Sequence, residues 1–63
     1  MQNNIQLFDW KKLEKYRIEV LKLSQEKTAR LLDCPTNTYR NWEKGRTVPS
    51  LEYYLRVKKL FKL

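Results

Sequence analysis

Between Pro35 and Gly45, five side chains are suited to specific polar contacts: Thr36, Asn37, Arg40, Asn41 and Lys44. They fall at i, i+1, i+4, i+5 and i+8, which puts all five on one side of an α-helix. Tyr39 and Trp42, three apart, take the other side, and none of the five polar residues is acidic. A helix with a buried aromatic side and an outer side of Asn, Thr, Arg and Lys suits an anionic groove. The base edges of the DNA major groove match these groups. Asn pairs with adenine N6 and N7, Arg with guanine O6 and N7, and a Thr methyl touches thymine, at about 1–3 kcal/mol of discrimination for each good pair. Taken without its surroundings, the same face reads equally well as a solvated helix surface.

The charge balance points the same way. The chain has 14 Lys and Arg against 7 Asp and Glu, a net +7 over 63 residues, and a pI near 9.8. That density favours an anionic partner; the blander reading is a charge that serves solubility. Catalysis lacks its parts: there is no His, one Cys, few acids and a single Gly. Nucleophile–base pairs, metal sites and phosphate-cradling loops are therefore not expected, nor is any cofactor, and the chain does not read as an enzyme. One cysteine allows no internal disulfide and fits a reducing, cytoplasmic setting. No stretch reaches the ~20 apolar residues of a membrane span. The N-terminal MQNNIQLFDW lacks the basic start and long apolar run of a signal peptide.

Helices must position the polar face. So short a chain forms one domain, and its scarcity of Gly and Pro with many Leu, Lys, Glu and Arg makes it all-α. Residues 1–8 read as an N-terminal arm and residues 9–63 as the folded domain. Asp9 is suited to cap a first helix running from Trp10 to about Leu21, with Trp10, Leu13, Tyr16 or Arg17, Val20 and Leu21 inward. Ser24 caps a second helix over about 25–32, whose first turn holds Glu26 and whose inner face holds Ala29 and Leu32. Asp33-Cys34-Pro35 breaks it, since Asp tolerates the left-handed conformation and Pro restricts the residue before it. Cys34 plugs the core there, as no base is present to activate it. Thr36 caps the third helix, over about 36–44, and Gly45 sits where a left-handed residue closes it. After a loop, Pro49-Ser50 starts a fourth helix with a broad apolar face. Leu13, Leu32, Tyr39, Trp42, Leu51 and Leu55 are the expected core. Aromatics among basic residues also describe a stacking platform for single strands, but their helical spacing favours the core.

The segment Leu23-Ser24-Gln25-Glu26-Lys27-Thr28-Ala29, then Leu31-Leu32, then Thr38, Trp42-Glu43-Lys44-Gly45-Arg46 and Pro49-Ser50-Leu51-Glu52 closely resembles the Cro/C1-type, or xenobiotic-response-element, family of phage-repressor helix-turn-helix proteins. The resemblance spans about residues 10–62, and its motifs are specific in combination. It implies a compact four-to-five-helix domain of the lambda-repressor kind, with the third helix lying in the major groove. It assigns base reading to Thr36, Asn37 and Asn41, and less directly to Arg40. Gln25, at the start of the second helix, falls where a phosphate is held. Lys44 and Arg46 suit further phosphates; Lys27 and Arg30 read equally well as phosphate contacts or as a solvated face. Glu43 is expected to fix the third helix by pairing with a basic residue or a loop amide. The chain departs from the family pattern at Lys22 and Asp33, where Gly is usual, at Thr28 for Leu and at Lys58 for Ala. It also ends where many members continue into a fifth helix.

The implied function is a sequence-specific, double-stranded-DNA-binding repressor that controls its own operon in a phage or mobile element. Small autoregulators such as anti-CRISPR-associated repressors share these motifs. A homodimer on an inverted repeat is expected, with half-sites about one helical turn apart. Val57, Leu60, Phe61 and Leu63 are the candidates for its two-fold contact. Two other readings remain: an antitoxin that masks a toxin protein and represses its own operon, and RNA binding through the basic face.

Overall fold

The computed structural model describes residues 9–62; the expected arm, residues 1–8, lies outside them. The described residues form α1 (Trp10–Tyr16), a π-helical turn (Arg17–Leu21), α2 (Gln25–Leu32), α3 (Thr36–Glu43) and α4 (Leu51–Phe61), with no strand among them. The all-α expectation holds, and the bounds of α2 are those expected. The third helix ends at Glu43, with Lys44 as its C-cap.

Two of the expected caps form. The Asp9 carboxylate accepts the Lys11 and Lys12 backbone N–H groups at 3.1 and 3.2 Å. Ser24 Oγ accepts the Lys27 N–H at 3.0 Å. The third does not: Pro35 occupies the N-cap of α3, and Thr36 is its first helical residue without a side-chain cap. The proline ring holds φ at −63°, and with ψ at 144° the backbone already has the extended entry that an N-cap needs.

Helix ends use left-handed residues. At Asp33 (φ 59°) the Cys34 N–H reaches the Ala29 carbonyl at 3.0 Å and the Asp33 N–H that of Arg30 at 3.1 Å. At Gly45 (φ 74°) the Arg46 N–H reaches Asn41 O at 2.9 Å and the Gly45 N–H reaches Trp42 O at 3.0 Å. Both pairs are Schellman closures. Lys22 (φ 55°) ends the π-helical turn in the same conformation. Outside glycine, this conformation costs roughly 1–2 kcal/mol. At Gly45 space matters as well, because an added Cβ would lie 2.8 Å from Trp10 Nε1.

The first helix departs from expectation after Tyr16. The i→i+5 bonding of a π-turn is wider than an α-turn, so the inward stripe drawn with an α-helical period goes out of phase. Arg17 is buried, while Val20, expected inside, is 57% exposed.

The core consists of Leu13, Ala29, Leu32, Tyr39, Trp42, Val57 and Phe61, with Trp10, Tyr16, Leu21, Cys34, Tyr53, Tyr54 and Leu60 packed against it. Trp42 meets Tyr39 edge-on at 5.9 Å and Tyr53 at 5.6 Å, and Tyr16 meets Phe61 at 5.5 Å. The α4 expectation is corrected here. Leu51 and Leu55, expected in the core, are 73% and 55% exposed, whereas Val57 and Phe61, expected outside, are fully buried. The tie-breaker is charge: Leu51 and Leu55 share their side of the helix with Lys58 and Lys62, and Tyr53, Val57 and Leu60 lie across from them. Arg56 joins α4 to α2, donating from Nη1 to the Leu32 carbonyl at 3.2 Å while its guanidinium lies 5.1 Å from the Tyr53 ring centre.

Opposite substitutions at two helix ends test this account. Lys22→Gly relieves a strained backbone and should stabilise the domain by up to about 1 kcal/mol. Gly45→Ala should destabilise it by about 1–2 kcal/mol from the backbone alone, and by more once the Trp10 ring must move. Thermal melts should shift in opposite directions.

Candidate nucleic-acid interface

The polar face of α3 is held in place by what lies behind it. Arg17, 7% exposed, points from the π-helical turn towards the last residue of α3. Its Nε donates to Glu43 Oε2 at 2.7 Å, Nη2 donates to Oε1 at 3.3 Å, and Nη1 donates to the Leu23 carbonyl at 2.7 Å. Glu43 also accepts the Tyr39 hydroxyl at 2.5 Å and Gln25 Nε2 at 2.8 Å. One carboxylate therefore joins the end of the first helix, the start of α2 and the body of α3. The basic partner expected for Glu43 is Arg17. The sequence hint was an arginine falling on the inward stripe of the first helix.

The titration of these groups follows from their partners. Burial pushes the Glu43 carboxyl up, but hydrogen bonds from Arg17, Tyr39 and Gln25 outweigh it and hold the carboxyl below its usual range. The bond to Glu43 holds the Arg17 guanidinium above its ordinary value. Burial, with the Glu43 carboxylate adding to it, raises the Tyr39 phenol far above the usual tyrosine range. Burial, then the Asp33 charge, raises the Cys34 thiol, which keeps it protonated and in its packing role.

In front of this network the eight expected contact residues fall as follows. Asn37 and Arg40 are exposed on α3, and Thr36 and Asn41 are half-buried. Lys44 and Arg46 are exposed around the Gly45 turn at the far end of the helix. Gln25 is half-buried at the first position of α2, and Lys27 is exposed two residues on, in the same turn. Gln25 and Arg40 are brought together, Arg40 Nε donating to Gln25 Oε1 at 3.2 Å. Thr36 stands apart from that pair and lines an open cleft with Glu26, Arg30, Asp33, Cys34 and Pro35. Among the described residues no group of His, Cys, Asp and Glu could hold a metal ion. No helix among them is long and apolar enough to cross a membrane.

Two short helices joined by a tight left-handed turn, the second seated by its aromatic side and polar outward, form a helix-turn-helix unit that binds double-stranded DNA. The profile of the helix-turn-helix family matches residues 12–63, and the chain belongs to that family, in its Cro/C1 type. It is a DNA-binding regulator of transcription. No curated protein and no solved structure matches the chain.

Acid should reveal the Glu43 carboxylate. Because its folded pKa is depressed, its contribution is fully present above the unfolded Glu value of about 4.3 and is lost as pH falls through the lower folded value. Glu43→Gln leaves the buried Arg17 charge unpaired, so it should lose about 3–5 kcal/mol at neutral pH and show a shallower loss of stability in acid. Thermal or urea unfolding between neutral pH and pH about 2.5 measures both.

Proposed function

We propose that this regulator is a sequence-specific repressor of its own operon, carried by a phage or mobile element, such as an anti-CRISPR-associated regulator. It acts as a homodimer on an inverted-repeat operator. The observation that carries this reading is the outer face of α3, where Asn37 and Arg40 are exposed and Thr36 and Asn41 partly so, with no acid among them. Thr36, Asn37, Arg40 and Asn41 read base edges there. Gln25 and Lys27 in the first turn of α2, and Lys44 and Arg46 just past the end of α3, are groups that hold phosphates and set its register. The net charge of +7 supports steering to the backbone and steep salt dependence.

A two-fold contact needs exposed apolar surface. Of the four residues expected there, Val57 and Phe61 are buried, Leu60 is half-buried against the core and Leu63 lies outside the described residues, but Val48, Leu51 and Leu55 are 65%, 73% and 55% exposed along the start of α4 and its approach. These three are the side chains we assign to the dimer.

A second reading, an antitoxin that also represses its own operon, is favoured by apolar exposure elsewhere. Ile18, Val20 and Leu31 are 52%, 57% and 53% exposed. They lie on elements that precede α4, giving a toxin its own contact surface.

Gel shifts with the upstream region of the protein's own gene test the main reading, and equal affinity for that region and random duplex would overturn it. Asn37→Ala or Asn41→Ala should lower preference for the operator by about 1–3 kcal/mol per lost base contact and leave the melting temperature nearly unchanged. Lys44→Ala should weaken binding to all sequences alike and reduce the salt slope by about 1. Leu51→Glu should lower the apparent mass in solution and broaden the binding curve without unfolding the monomer, which sedimentation and circular dichroism read together.

A further inference from the structure

The amide of Gln25 has only one workable orientation. Its NH2 faces the Glu43 carboxylate at 2.8 Å and its oxygen faces Arg40 Nε at 3.2 Å. Turned over, it would set oxygen against carboxylate and NH2 against guanidinium, losing both bonds. Glu43 is in turn fixed by Arg17 and Tyr39, with its side chain only 3% exposed. A rigid chain of contacts thus runs from the core to the surface: Arg17 to Glu43, Glu43 to Gln25, Gln25 to Arg40. It ends on the one arginine of the outward face of α3. Because Nε is engaged, the two terminal nitrogens of Arg40 are left as a planar fork, unengaged among the described residues. A guanidinium fork matches guanine O6 and N7.

We infer that Gln25 is a specificity-positioning residue: it aims the Arg40 fork so that the protein requires guanine at one position of each half-site. This rests on the sequence-specific reading above and changes the part given to Gln25, whose side chain is already committed on both sides to protein. A freely rotating arginine on an exposed helix would meet phosphate as readily as a base. Held at Nε, it gives up rotamer freedom before binding, and the contact becomes selective.

The experiment selects bound sites from a random-sequence duplex library with the wild-type protein, Arg40→Ala, Gln25→Met and the double variant, with a thermal melt of each. Gln25→Met keeps the length of the side chain and removes both hydrogen bonds; Gln25→Ala makes the same comparison if the methionine variant does not fold. Wild type should require guanine at one half-site position, and Arg40→Ala should lose that preference by about five- to hundredfold. Gln25→Met should weaken the preference at the same position by about threefold or more while leaving the other positions unchanged. Added to Arg40→Ala, it should change nothing further there. If Gln25→Met lowers affinity for all sequences alike, or its effect adds fully to that of Arg40→Ala, Gln25 is a phosphate clamp and the inference fails while specific binding stands. If wild type selects no preferred sequence at all, the sequence-specific reading fails first and this one with it.

Discussion

A single buried carboxylate sets the geometry of this domain. Glu43 takes hydrogen bonds from Arg17, Tyr39 and Gln25, which lie on the first helical segment, on α3 and on α2. A buried ion pair adds little net stability over apolar packing of the same volume, yet breaking one side of it costs about 3–5 kcal/mol. The pair therefore acts mainly on position. In a domain of 63 residues, apolar contacts are few and tolerant of small slides. Directional bonds at the end of α3 remove that freedom where an error of an ångström would displace a row of contacts.

The packing explains why the network sits where it does. Tyr39 and Trp42 fill the core from α3, and the next residue, Glu43, emerges at the rim where Arg17 can reach it. Tyr39 serves both layers, its ring edge-on to Trp42 and its hydroxyl on Glu43. Arg17 meanwhile satisfies the Leu23 carbonyl just before α2 begins. The core, the turn into α2 and the outer face of α3 thus share side chains, so a disturbance in one reaches the others.

Much of this was legible from residue types. Asp9, Ser24, Asp33 and Gly45 each have one conformational or capping preference that local sequence displays, and the structure uses all four as expected. The outward placement of Asn37 and Arg40 followed from spacing relative to Trp42. The face of α4 was not legible in the same way, because apolar residues cover most of its circumference and only the lysines distinguish its sides. The first helix misled because its period changes at Arg17. The Glu43–Gln25–Arg40 chain was hidden for a different reason: hydrogen bonds between side chains distant in sequence leave no periodic trace. The base-reading and phosphate roles themselves rest on the family resemblance and on chemistry.

The widened turn at Arg17–Leu21 has a mechanical meaning of its own. Two anchors bracket it, Leu13 in the core and the Leu23 carbonyl held by Arg17. In a regular α-helix, one surplus residue rotates everything after it by about a hundred degrees. Here the surplus is taken up as a blister in the helix wall, with Ile18, Glu19 and Val20 turned to solvent. The slack of the fold is thus stored inside a helix rather than in a loop. A change of one residue here can be absorbed in the helix wall without swinging α2, and α3 behind it, off their line.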